Sequence, residues 1–76
     1  MADRLKDELR RIITEVTEVE DIPENTPFAD LGIDSMELTT IVVVLQDEFG
    51  IKVDEDDFGE LTTLSKITNY IKALKG

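Results

Sequence analysis

The chain is predicted to be all-α: a small bundle of three main helices plus one short helical turn, with a long loop between the first two helices. Three observations predict this. Apolar residues recur at helical spacing in three separate stretches, and the one β-branched run has no second strand to pair with. The 76 residues also contain no cysteine, so packing rather than a disulfide framework or thiolate metal site must organise the chain. At this length one domain spanning residues 1–76 is expected, with a modest core, since so small a chain buries only about 60% of its unfolded surface.

Residues 4 to 17 carry Leu5, Leu9, Ile12, Ile13 and Val16, the i, i+4, i+7, i+8, i+11 stripe of an amphipathic helix, with Asp3 placed to cap it. From Glu18 to Asp34 the periodicity disappears. Pro23 and Pro27 impose extended backbone on their predecessors, so this stretch reads as a loop anchored by Ile22, Phe28, Leu31 and Ile33. Residues 35 to 49 include the run IVVVL, a strand signal taken alone. At about 100° per residue, however, Leu38, Ile41, Val42, Leu45 and Phe49 gather on one helical face, and Gly50 supplies a stop. After the link IKV, the acidic run Asp54 to Asp57 with Phe58 is expected to make one helical turn before Gly59. Thr63 then caps a last helix with Leu64, Ile67, Tyr70, Ile71 and Leu74 at helical spacing.

The net charge is −10, and its placement is uneven. Residues 1 to 11 carry +1 and residues 66 to 76 carry +3. Residues 12 to 65 hold fifteen acids against one base, Lys52. Such a field repels phosphate backbones and anionic bilayers, which argues against nucleic acid and membrane insertion, and steers the domain toward basic protein surfaces. The N-terminal segment has no apolar run of signal-peptide length and is too acidic for a transit peptide, so a cytoplasmic, monomeric protein is expected, with the whole chain as its mature form.

One short stretch, DLGIDSMELT, invites a chemical reading. Ser35 as a nucleophile of the chain itself would need a general base, normally histidine; the chain has none, and no G-x-S-x-G signature surrounds it. An enzyme is therefore not expected. Calcium binding at VDEDDFGE also fails: counted from Asp54, Phe58 occupies the fifth loop position and Ser65 the twelfth, where oxygen ligands are required, so no metal site is assigned. Two readings of Ser35 remain. It can simply begin a helix that Asp34 caps. Alternatively, its hydroxyl beside the unpartnered N–H groups of a helix N-terminus suits an attached anion such as a phosphodiester.

Leu31-Gly32-Ile33-Asp34-Ser35-Met36, followed by an apolar helix ending in Phe49-Gly50-Ile51, resembles the acyl carrier protein family. The likeness extends along essentially the whole chain, including the long loop, the acidic middle and the Thr62-Thr63-Leu64 approach to the last helix. It implies that Ser35 receives 4′-phosphopantetheine from coenzyme A through a phosphopantetheinyl transferase, and that acyl groups ride on the arm as thioesters. By the same resemblance Asp34 assists the modification, through a metal ion near the incoming phosphate. The side of helix 35–49 opposite its core face presents Met36, Thr40, Val43 and Asp47, flanked by Glu37 and Glu48; exposed Met and Val beside acids suit docking by acyl-loading and acyl-processing enzymes with basic surfaces. Sheltering of the acyl chain within the bundle is a further expectation. Fatty-acid or related polyketide or lipid biosynthesis is the implied setting. Because Thr39, Thr40 and Gln46 make the helix less acidic than is typical of housekeeping carriers, a specialised carrier for an aminoacyl or secondary-metabolite pathway is the alternative. From a different class, a small acidic helical interaction module without a prosthetic group is the rival.

Overall fold

A computed structural model describes residues 4–75; the expected cap at Asp3 lies outside them. Three α-helices run from Arg4–Thr17 (α1), Ser35–Phe49 (α2) and Leu64–Lys75 (α3). Two 3₁₀ segments interrupt the connections, Phe28–Leu31 in the long loop and Glu55–Glu60 between α2 and α3. The all-α bundle is thus as predicted. The four-residue turn in the loop is an addition, and the second segment runs through Gly59 instead of ending before it.

Leu9, Ile12 and Ile13 of α1, Ile41, Val42 and Leu45 of α2, and Leu64, Ile67 and Ile71 of α3 meet in one core. α1 packs against both other helices. The loop anchors Ile22, Phe28 and Ile33 are buried in the same cluster, with Leu31 half-buried against it. Backbone bonds complete the anchoring: Phe28 N donates to Thr62 O (2.8 Å) and Ser65 N to Glu24 O (2.9 Å), tying the loop to the start of α3. From the other side Lys6 pairs with Glu24 (2.7 Å) and Arg10 Nε donates to the Ile22 carbonyl (3.1 Å).

Helix ends follow the residues that make them. Gly50 closes α2 at φ 62°, left-handed backbone that favours glycine. The Lys66 N–H donates to Thr63 Oγ1 (3.1 Å), so Thr63 caps α3 as expected. Leu74 corrects the predicted core stripe, being 48% exposed, whereas Thr68 is fully buried with its hydroxyl donating to Leu64 O at 2.8 Å. No helix among the described residues is long and apolar enough to cross a membrane.

Candidate functional site

Ser35 is the first residue of α2 and is exposed. Its position is set from both sides. Upstream, the 3₁₀ turn ends at Gly32 in left-handed backbone (φ 80°), and Ile33, whose N–H donates to Phe28 O (3.0 Å), drops into the core. Asp34 stays extended (φ −88°, ψ 179°) at the N-cap of α2. Its Oδ1 accepts the Glu37 N–H at 2.8 Å, and Glu37 Oε1 lies 3.5 Å from the Asp34 N–H. This reciprocal capping box satisfies donors that the first helical turn would otherwise leave unpaired. Downstream, the Thr39 hydroxyl donates to the Ser35 carbonyl at 2.8 Å, and Thr40 does the same to Met36 O at 3.1 Å. Ser35 is therefore held at a helix start whose partial positive charge points toward any anion joined to its oxygen.

The outer face of α2 is open. Met36 is 79% and Val43 55% exposed, and Thr40, Asp47 and Glu48 are exposed with them, giving two bare apolar side chains set among acids. Glu37 is only half-exposed because it belongs to the capping box. Its structural part is readable in the sequence as Asp34 followed three residues later by Glu37, a signal that pattern reading for a partner surface passes over.

Two clefts flank this face. A notch of about 220 Å³ opens beside Ser35, lined by Pro27, Phe28, Ala29, Ile33, Asp34, Leu38, Thr62 and Ser35 itself, with almost wholly apolar walls. No periodicity could reveal it, because its walls come from the loop, α2 and the approach to α3. A wider cleft of about 840 Å³ lies between α2 and the second 3₁₀ segment, bounded by Thr39, Val43 and Gln46 on one side and Lys52 to Asp56 with Phe58 on the other. Gln46 holds its edge in place, its Oε1 accepting the Val53 N–H at 2.8 Å. The second 3₁₀ segment is fastened to α3 by the Tyr70 hydroxyl, which donates to Asp57 Oδ2 at 2.6 Å; that carboxylate holds the phenol pKa above its ordinary value.

Residues 7–71 match the protein family described as "Phosphopantetheine attachment site". An acyl carrier protein of Chlamydia caviae is 33% identical over 75 residues, covering 95% of this chain and 97% of that one. One from Thermobifida fusca is 38% identical over 69 residues, 87% of each. A meromycolate extension acyl carrier protein of Mycolicibacterium aurum is 36% identical over 70 residues, 88% of this chain and 72% of the other. Among solved structures, an acyl carrier protein from Thermotoga maritima superposes with a TM-score of 0.84 at 18% identity, covering 95% of this chain and 87% of that one. A type-II acyl carrier protein from Streptomyces verticillus involved in bleomycin biosynthesis also gives 0.84 at 18%, over 96% and 88%. At that identity the two structures speak for the fold.

Proposed function

Because this chain belongs to the acyl carrier protein family and carries acyl groups on 4′-phosphopantetheine, we propose that Ser35 bears the arm, that Asp34 assists its attachment, and that the outward face of α2 receives the partner enzymes. The observation that carries this reading is the placement of Ser35: an exposed hydroxyl on the first residue of a capped helix, between a pinned loop and an open face. The residues fit the group. A phosphodiester on Ser35 Oγ would sit at the positive end of α2, where backbone N–H groups face it. When bound, the arm supplies the terminal thiol that holds an acyl group as a thioester, chemistry that a chain without cysteine has no side chain to perform.

The division of labour follows from what the chain lacks. Ser35 Oγ forms the new phosphorus–oxygen bond as the pyrophosphate P–O bond of coenzyme A breaks and adenosine 3′,5′-bisphosphate leaves, and the serine proton passes to a base that the transferase must bring, since this chain has no histidine. The domain itself performs no catalysis. Asp34 is already engaged through Oδ1 with the Glu37 N–H, which fixes the carboxylate in the residue before Ser35, where the phosphate would join. Repulsion between the two is relieved if a divalent cation held with the transferase lies between them. Partners that load and process the acyl group dock by apolar contact with Met36 and Val43 and by basic side chains against Asp47 and Glu48. The protein acts as a cytoplasmic monomer.

Fatty-acid or related lipid and polyketide synthesis is the setting this reading assigns. The polar, uncharged Thr39, Thr40 and Gln46 on α2 favour, as a second reading, a specialised carrier serving a narrower set of partners, including aminoacyl loading. The test of the carrier assignment is the intact mass of the protein and of Ser35→Ala after incubation with coenzyme A and a broad-specificity phosphopantetheinyl transferase. A gain of one phosphopantetheine on the parent and none on the variant is expected. No gain on the folded parent, beside a working control, would return Ser35 to a purely structural role.

A further inference from the structure

We propose that the apolar notch beside Ser35 seats the dimethyl-substituted carbon of the phosphopantetheine arm, so that the first part of the arm rests between the long loop and α2 instead of extending freely into water. This rests on Ser35 being the attachment residue. The chemistry of the arm sets which part of it an apolar notch would take. From the serine oxygen outward come a phosphodiester, a methylene and a carbon carrying two methyl groups, and only then the hydroxyl and the amides. The dimethyl carbon is thus a branched, wholly apolar unit, tethered within a few bonds of Ser35.

The notch matches that unit in position, size and character. Ser35 and Asp34 form part of its rim, so a group a few bonds from Ser35 Oγ reaches it without crossing the protein surface. Its volume of about 220 Å³ is several times the ~30 Å³ share of one water molecule, room enough for a branched alkyl group. Phe28, Ile33 and Leu38 supply its walls with Pro27 and Ala29. Asp34 at the rim keeps the phosphate out by repulsion, which leaves the apolar carbon just beyond it as the part that enters. The wider cleft on the other side of α2 lacks this character, because Lys52, Asp54, Glu55 and Asp56 contribute to its walls. The notch is also fixed in shape. Phe28 and Ile33 are buried in the core, the Ile33 N–H donates to Phe28 O, and the Phe28 N–H donates to Thr62 O across it. Removing two methyl groups from water favours the seated arm over the free arm on the order of tenfold before the cost of ordering it.

The experiment is an isotope-filtered nuclear Overhauser measurement on the holo protein, with the protein labelled and the arm unlabelled, and with arm occupancy confirmed by intact mass. Cross-peaks from the two arm methyls to the methyls of Ala29, Ile33 and Leu38 are expected, together with their loss in a fully loaded Ala29→Phe variant that fills the notch. Full loading without those cross-peaks would overturn the seating while leaving Ser35 as the attachment residue. So would cross-peaks that survive Ala29→Phe, or protection of the notch methyls only on adding the transferase, which would give the notch to a partner side chain. Absence of any mass gain on the parent would instead bring down the Ser35 assignment and this proposal with it.

Discussion

At Asp34 a structural task and a proposed assisting task fall on one carboxylate, and asparagine separates them. Asn and Asp are about equally good N-caps, because each offers a side-chain oxygen to the N–H groups of the first turn. Asp34→Asn is therefore expected to keep the bond to the Glu37 N–H and melt close to the parent, while Asp34→Ala loses about 1 kcal/mol, a fall of roughly 4–8 °C in Tm for a chain of this size. If the charge assists attachment, both variants accept the arm more slowly, on the order of tenfold or more. Thermal melts and an intact-mass time course measure the two effects independently; an Asn variant loading at the parental rate would reduce Asp34 to a cap. Ser35 and Asp34 are legible in the sequence because a helix start announces itself through capping chemistry and because D-S-M after L-G sits at that start. The notch residues are not. Ala29, Leu38 and Thr62 belong to three segments, and only the fold brings them together.

The elements were readable wherever a stripe was long enough to fix its own phase, and α3 shows what phase leaves open. At about 100° per residue, Thr68 and Leu74 stand on opposite sides of the middle of the buried Leu64, Ile67 and Ile71 stripe, roughly 65° and 55° from it. Hydrophobicity points at Leu74, but Leu74 lies in the last turn of α3, whereas Thr68 lies mid-helix with its hydroxyl satisfied by Leu64 O and so can be buried. The 3₁₀ turn Phe28–Leu31 gave no signal, since four residues cannot show a period. On α2 the exposed acids carry no core role, so reversing Asp47 and Glu48 to lysine is expected to leave the helical spectrum unchanged and to weaken transfer kinetics with transferase and loading enzymes. Parental kinetics would remove them from the docking face. A second element-scale prediction concerns the link from the second 3₁₀ segment to α3. The Asp57 carboxylate raises the Tyr70 pKa above its unfolded value near 10, so the folded state keeps a proton that the unfolded state loses. Stability from this link is complete below pH 10 and is lost as pH rises through the folded pKa. Tyr70→Phe should flatten the decline in Tm above pH 10; an unchanged alkaline slope would show the link to be inert.

On the scale of the whole molecule, charge opposes compactness. Fifteen acids and one base between residues 12 and 65 are folded into a body with a radius of gyration of 11.3 Å. At 0.01 M ionic strength the screening length is about 30 Å, so every acid repels every other across the molecule; at 0.15 M it is about 8 Å, and only near neighbours still interact. The ion pairs Lys6–Glu24, Asp7–Arg10 and Arg11–Glu15 pull the other way, because salt weakens them. They are partly or largely exposed, and such pairs contribute about 0–1 kcal/mol each, so repulsion summed over the acidic middle outweighs them. Tm at neutral pH should therefore rise with sodium chloride, most of the rise falling between 0.01 and about 0.15 M. Divalent cations should do more at equal ionic strength by bridging neighbouring carboxylates such as Asp54 to Asp57. Lowering pH toward the isoelectric point near 4.2 discharges the same acids and should shrink the salt effect in parallel. A Tm indifferent to salt at neutral pH would mean that the unfolded chain feels the repulsion as strongly as the folded one, and that the acidic middle acts on partners alone and costs the fold nothing.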